Sequence, residues 1–150
     1  MNSNREVVIL VAEDDSGHAR LIEKNLTRAG LNNSIVRFDN GQAVLDYLFR
    51  RGTGPQRAPD MSYLLLLDIR MPQVDGIEVL RQVKQDQELR KIPVIILTTT
   101  DDPREVERCH TIGCASYIVK PVDYNKFAEA IKGLGLYISL VQVPEINGGK

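Results

Sequence analysis

Short apolar runs alternate along the chain with longer segments in which apolar residues recur every three or four positions. "VVILVA" (7–12), "YLLLLD" (63–68) and "PVIILTTT" (93–100) are continuous apolar runs of strand length, the kind a sheet covered on both faces requires. "SIVRF" (34–38) is less apolar and suits a sheet edge, and "ASYIVK" (115–120) reads as a fifth strand. The segments between them have helical spacing. Residues 16–30 repeat through Ala19, Ile22, Leu26 and Ala29 and stop at Gly30. Residues 41–51 repeat through Val44, Leu45 and Leu48, and 75–85 through Ile77, Leu80 and Val83. Asp102 as N-cap, Pro103 at the first helical position, Glu105 at the third and Gly113 past the end delimit a fourth helix. A last helix covers 123–141, weakened locally by Gly133 and Gly135. "GTGPQRAPD" (52–60) is the Gly/Pro-rich loop of the body, and the tail "PEINGGK" (144–150) is expected to be flexible.

Strict strand–helix alternation predicts an α/β fold, a parallel sheet with helices on both faces and right-handed crossovers. Ligands of such sheets bind outside the carboxyl ends of the strands. Strand one ends in Glu13, Asp14 and Asp15, strand three in Asp68, strand four in Thr98 and strand five in Lys120, whereas strand two ends in "RFDNG" with no distinctive set. Asp15 reads as the N-cap of the first helix. A run of leucines does not deliver an unpaired carboxylate into a core, because that is costly. The remaining acids repel one another unless a cation joins them, and an all-oxygen set suits Mg²⁺. A carboxylate beside such an ion can act as a nucleophile toward a phosphoryl group, with an ammonium and a hydroxyl neutralising the transferred oxygens. Taken singly, Lys120 is an ordinary surface lysine and Thr98 ordinary strand chemistry; their convergence with Asp68 is what argues for function.

Composition narrows the alternatives. The 150 residues suit one domain, and 43% hydrophobic residues suffice for a core. The formal net charge of −1 gives no reason to expect nucleic-acid binding. The N-terminus has no signal-peptide pattern and no apolar stretch is long enough to span a bilayer, so a cytoplasmic protein without membrane contact is expected. Cys109 and Cys114 fit no metal or redox spacing and read as reduced thiols. His18 and His110 read as helix-face residues without a serine or cysteine nucleophile pattern. In "MPQVDG", Pro72 shapes the turn after Asp68, and Asp75 with Gly76 opens the third helix.

"ILVAEDD", "LLLLDIRMPQVDG", "PVIILTTT" and "SYIVKPV", in this order over nearly the whole chain, resemble a response-regulator receiver domain, the phospho-accepting half of bacterial two-component signalling. The resemblance implies a doubly wound, five-stranded parallel (βα)5 sheet of flavodoxin-like order 2-1-3-4-5, with the receiver over 1–143. It implies that Asp68 is the phospho-acceptor, that Asp14 ligates Mg²⁺ (or Mn²⁺) directly, and that Glu13 supports the metal through water. The backbone carbonyl of Arg70 is a further implied ligand. Thr98 and Lys120 take the family's switch-hydroxyl and phosphate-binding positions, the Thr99 N–H contacts phosphate, and Tyr117 takes the aromatic switch position. Pro121 stands where the family usually has a cis peptide. Glu13 replaces the more common Asp, Thr99 stands where Ala or Ser is frequent, and Arg70 and Thr100 occupy positions that tune dephosphorylation.

The long loop before strand three, "VKQDQELRKIPV", "LTTT" and "LVQVP" further resemble the small stand-alone regulators partnered with bacterial phytochromes, although "GLGLYISL" replaces an aromatic common near the end of their last helix. The implied partner is a sensor histidine kinase, in that case a bacteriophytochrome, and the chain itself is not an enzyme. No output domain is expected, since the fold uses the whole chain. On the last helix Phe127, Ile131, Leu134, Ile138 and Val141 form one stripe, and Leu136, Tyr137 and Leu140 fall off it, which suggests a homodimer through the face made by the fourth helix, fifth strand and fifth helix. Two alternatives share these residues: a haloacid-dehalogenase-type phosphatase, whose nucleophile lies on the first strand, and a degenerate receiver that acts only as a binding module.

Overall fold

The computed structural model describes residues 7–146. The elements run β1 (Val7–Ala12), α1 (Ser16–Arg28), β2 (Ile35–Phe38), α2 (Gly41–Phe49), β3 (Ser62–Leu67), α3 (Gly76–Gln85), a single 3₁₀ turn at Leu89–Lys91, β4 (Val94–Thr98), α4 (Pro103–Ile112), β5 (Ser116–Val119) and α5 (Tyr124–Leu140). All sheet pairings are parallel and the strand order is β2-β1-β3-β4-β5. The expected doubly wound flavodoxin-like topology is therefore the observed one, and β3 lies at its centre between β1 and β4.

The leucine run of β3 is explained by burial on both faces. Tyr63, Leu65 and Leu67 pack into a core shared with α2, α3 and α4, whereas Leu64 and Leu66 pack into a second core under α1 and α5. β1 divides in the same way, with Leu10 and Ala12 on the first side and Ile9 and Val11 on the second. Each fully buried leucine contributes about 1.5–3 kcal/mol relative to exposure, so the central strands anchor the carboxyl edge from which the polar residues project.

The caps follow the sequence signals. Asp15 accepts from the His18 N–H, Asp75 from Glu78, Asp102 from Arg104, and Asp123 from Asn125 and Lys126. Two glycines are required by close approach. A Cβ on Gly76 would lie 2.1 Å from the Asp68 carbonyl oxygen, and one on Gly41 would lie 1.8 Å from the Val74 carbonyl oxygen. The start of α3 is thereby pressed against the backbone that leaves β3, and the Gly76 N–H closes the turn onto the Ile69 carbonyl at 2.8 Å. "MPQVDG" thus acts as scaffold for Asp68.

As far as it is described, the tail expected from 144 packs back on the fold. Val143 and Ile146 are buried, Ile146 forms an antiparallel bridge with Met61, and the Ser62 hydroxyl donates to the Val143 carbonyl at 3.1 Å. The physical reason is that the amino-end rim of β3 exposes backbone groups and apolar surface that the returning chain satisfies. Residues 147–150 lie outside the described residues. Ala29, expected on the buried stripe of α1, is exposed. Phe127, Ile131, Leu134 and Ile138 face the sheet as expected, while Leu136, Tyr137 and Leu140 are 63%, 45% and 70% exposed.

Candidate functional site

The chain leaving β1 turns at Glu13 and Asp14 so that α1 can begin at the Asp15 cap. The carbonyls of that turn are braced by Arg37 of β2: Nε and Nη2 donate to the Glu13 carbonyl at 3.1 and 2.9 Å, and Nη2 to that of Asp14 at 3.2 Å. β3 delivers Asp68 one strand away, its N–H bonded to the Ala12 carbonyl at 3.0 Å. As a result Glu13, Asp14 and Asp68 each offer a carboxylate oxygen within 4.8 Å of the others. Glu13 and Asp68 are buried, while Asp14 opens to solvent.

Lys120, buried at the end of β5, reaches across this group. Its Nζ donates to Glu13 Oε1 at 2.5 Å and to Asp68 Oδ2 at 3.1 Å, and faces His18 Nδ1 at 3.0 Å. Burial pushes the Glu13 carboxyl up to about 7; the Lys120 hydrogen bond acts in the opposite direction, and the Asp68 charge adds to the rise. Removal from water penalises the anion more than one ammonium shared between two carboxylates compensates it. A divalent cation would supply the missing positive charge. The donors are hard oxygens, one of them solvent-facing, which fits Mg²⁺ or Mn²⁺ with retained waters.

Thr98 ends β4 on the same rim. Its hydroxyl oxygen is buried and has no hydrogen-bond partner among the described residues. A buried unsatisfied hydroxyl in an otherwise well-paired site marks a place where another polar group belongs. Thr99, next along, is exposed. The Arg70 N–H lies 3.4 Å from Asp68 Oδ1, and its side chain leaves the site, with Nε donating to the Thr100 hydroxyl at 3.2 Å. An open cleft of about 490 Å³ lies beside Asp14, Arg70, Pro72 and Glu105. Tyr117 on β5 donates its hydroxyl to the Thr100 carbonyl at 2.8 Å, and burial pushes that phenol up to about 12, so it remains a donor.

Two expectations are corrected. No peptide bond among the described residues is cis, so Lys120–Pro121 is trans. The trans form is the lower-energy isomer of X–Pro bonds by about 0.5–1 kcal/mol, and the Lys120 N–H is held at 2.6 Å by the Thr98 carbonyl within it. His18 is not a bystander on the face of α1: its ring touches Lys120 and meets Phe127 edge-on at 5.9 Å. Arg37 was likewise not visible as a site residue, because "RFDNG" carries no motif and its role depends on the β1–β2 register. Both cysteines are buried and His110 lies on α4, with Nδ1 3.7 Å from the Cys114 sulfur. No helix among the described residues is long and apolar enough to cross a membrane.

A parallel 2-1-3-4-5 sheet whose carboxyl edge joins an acidic triad, a buried lysine and a buried threonine hydroxyl defines a receiver-type signalling domain. The family model of the response regulator receiver domain matches residues 9–132, and the chain belongs to that family. It is similar to a receiver domain from Rhodospirillum rubrum, with 49% identity and a TM-score of 0.88 over 94% of this chain and 99% of that one. It is also similar to the Mn²⁺-bound form of response regulator Rcp1 of Synechocystis, with 27% identity and a TM-score of 0.82 over 91% and 98% of the two chains. A third similar structure is the bacteriophytochrome response regulator RtBRR, with 34% identity and a TM-score of 0.67 over 93% and 83%. The chain is thus a two-component response regulator resembling those partnered with phytochromes, which sets aside the haloacid-dehalogenase alternative.

Proposed function

We propose that this receiver accepts a phosphoryl group on Asp68 from the phosphohistidine of a sensor kinase. The observation that carries the reading is Lys120 Nζ seated between Glu13 and Asp68 at the rim where the Thr98 hydroxyl has no partner among the described residues. An Asp68 carboxylate oxygen attacks phosphorus, the P–N bond breaks, and its electron pair leaves on the donor imidazole. The Thr98 hydroxyl and the Thr99 N–H receive phosphoryl oxygens, and Lys120 shifts from the bare carboxylate to one of those oxygens. Glu13, Asp14, Asp68 and the Arg70 carbonyl would hold Mg²⁺ or Mn²⁺, which supplies charge neutralisation on the transferring group. With acceptor, acids, hydroxyl and lysine all in place, nothing favours a degenerate binding module. Incubation with acetyl phosphate and Mg²⁺ tests the reading: one acid-stable, base-labile acyl phosphate per chain is expected, mapping to Asp68. A phosphoryl group that maps elsewhere, or none, overturns it.

The drawn-in Thr98 would bias the α4–β5–α5 surface through Tyr117, whose hydroxyl now holds the Thr100 carbonyl. The exposed Leu136, Tyr137 and Leu140 on α5 support a homodimer through that surface. Similarity to a bacteriophytochrome response regulator supports a bacteriophytochrome as the kinase. In sedimentation velocity the wild type is expected to dimerise at micromolar concentration, with affinity changed several-fold by beryllofluoride, since such couplings amount to ~1–3 kcal/mol. Leu136→Glu/Leu140→Glu is expected to stay monomeric. A wild type monomeric in both states refutes the dimer.

A further inference from the structure

We infer that His18 is a positioning residue for Lys120, holding the ammonium by its third proton so that the other two point at Glu13 and Asp68. The inference rests on the phospho-acceptor reading above and adds to it a residue outside the acids, threonine and lysine. An ammonium has three donors and no acceptor. Here the three have three distinct takers: Glu13 Oε1 at 2.5 Å, Asp68 Oδ2 at 3.1 Å and His18 Nδ1 at 3.0 Å. Because Lys120 can only donate, Nδ1 is the accepting nitrogen and the imidazole proton belongs on Nε2.

The imidazole is itself fixed from two sides. The His18 main-chain N–H is bound by the Asp15 cap at 3.0 Å, and the ring meets Phe127, a buried residue of α5, edge to face. It therefore approaches Lys120 from the side of α1, whereas both carboxylates belong to the strand rim. Glu13 is by distance the tighter partner of Lys120. Without a third anchor, the flexible lysine stem is free to swing fully onto Glu13, away from the oxygen that is to carry the phosphoryl group. With His18 in place the ammonium stays within reach of both acids.

Asn and Leu separate the acceptor from the shape. Asn places an oxygen close to where His places Nδ1; Leu fills the same space, keeps the contact with Phe127, and accepts nothing. His18 is partly exposed, so neither substitution buries a cavity. With acetyl phosphate and Mg²⁺, His18→Leu is expected to phosphorylate about tenfold more slowly, the scale of one hydrogen bond to a charged group. His18→Asn is expected to recover most of the rate, and Mg²⁺ affinity is expected to match the wild type in both. The second readout needs no phosphorylation: in ¹H–¹⁵N correlation spectra the Lys120 ammonium is expected to be protected from exchange in the wild type and His18→Asn, and to be lost in His18→Leu. Equal protection in all three, or an Asn variant as slow as Leu, overturns the positioning role. A wild type that takes no phosphoryl group overturns the phospho-acceptor reading instead, and the ammonium signal still decides whether His18 holds Lys120.

Discussion

Asp14→Ala is expected to bind Mg²⁺ at least about 100-fold more weakly than the wild type, since loss of even an outer-shell partner commonly costs 10–100-fold. Asp14 is the solvent-facing member of the triad, while Glu13 and Asp68 are both bonded to Lys120. Removing it leaves two carboxylates whose charge is already partly satisfied by the ammonium. The fold should be unaffected, because the Asp14 side chain packs into neither core. Titration calorimetry with MgCl₂ and MnCl₂, beside thermal melts, is the check. The wild type carries a pH signature of its own. Glu13 keeps its proton up to about 7, and a cation must displace that proton before it gains the full charge of the site. Mg²⁺ affinity should therefore rise between pH 5 and about 7 and level off above, with proton release below that point. An Asp14→Ala chain within threefold of wild-type affinity rules out the proposed coordination.

Most of the architecture was legible because it rests on local signals. Strand runs, the helix starts at Asp15, Asp75 and Asp102, and glycine stops are properties of neighbouring residues. The rim residues were legible for a related reason: in a parallel α/β sheet every strand ends on the same side, so reading strand termini lists the site. What was not legible depends on distances in sequence that no pattern encodes. His18 reaches Lys120 across 102 positions, and Arg37 reaches Glu13 across 24. Each follows from the seating of one element against another. The packing of Ile146 was not legible for the same reason, because it is buried where Met61, just before β3, offers it a bridge. Residues that carry a chemical motif can be read from the sequence, and residues that touch them only through packing cannot.

Lys120→Met is expected to lose about 3–5 kcal/mol at pH 8, the usual cost of removing one member of a buried charge cluster. The wild-type ammonium is buried and bonded to two acids that are themselves buried. Methionine fills much of its volume, so the loss reports charge rather than a cavity. The variant leaves Glu13 and Asp68 facing each other without a cation, and Glu13 also loses the hydrogen bond that lowers it, so its carboxyl rises further above the about 7 of the wild type. The sign of the pH dependence follows. A carboxyl raised in the folded state costs nothing where it is protonated in both states, below its ordinary value of 4.5. The cost grows as the pH climbs from there and stops growing once the folded group ionises. The deficit of Lys120→Met should thus be small at pH 5 and large at pH 8, as read by urea unfolding at both. Millimolar Mg²⁺ should restore more stability to the variant than it adds to the wild type at pH 8, because it returns positive charge to the same three carboxylates. Equal deficits at the two pH values, or no added protection by Mg²⁺, would mean that Lys120 stabilises the rim by packing rather than by its charge.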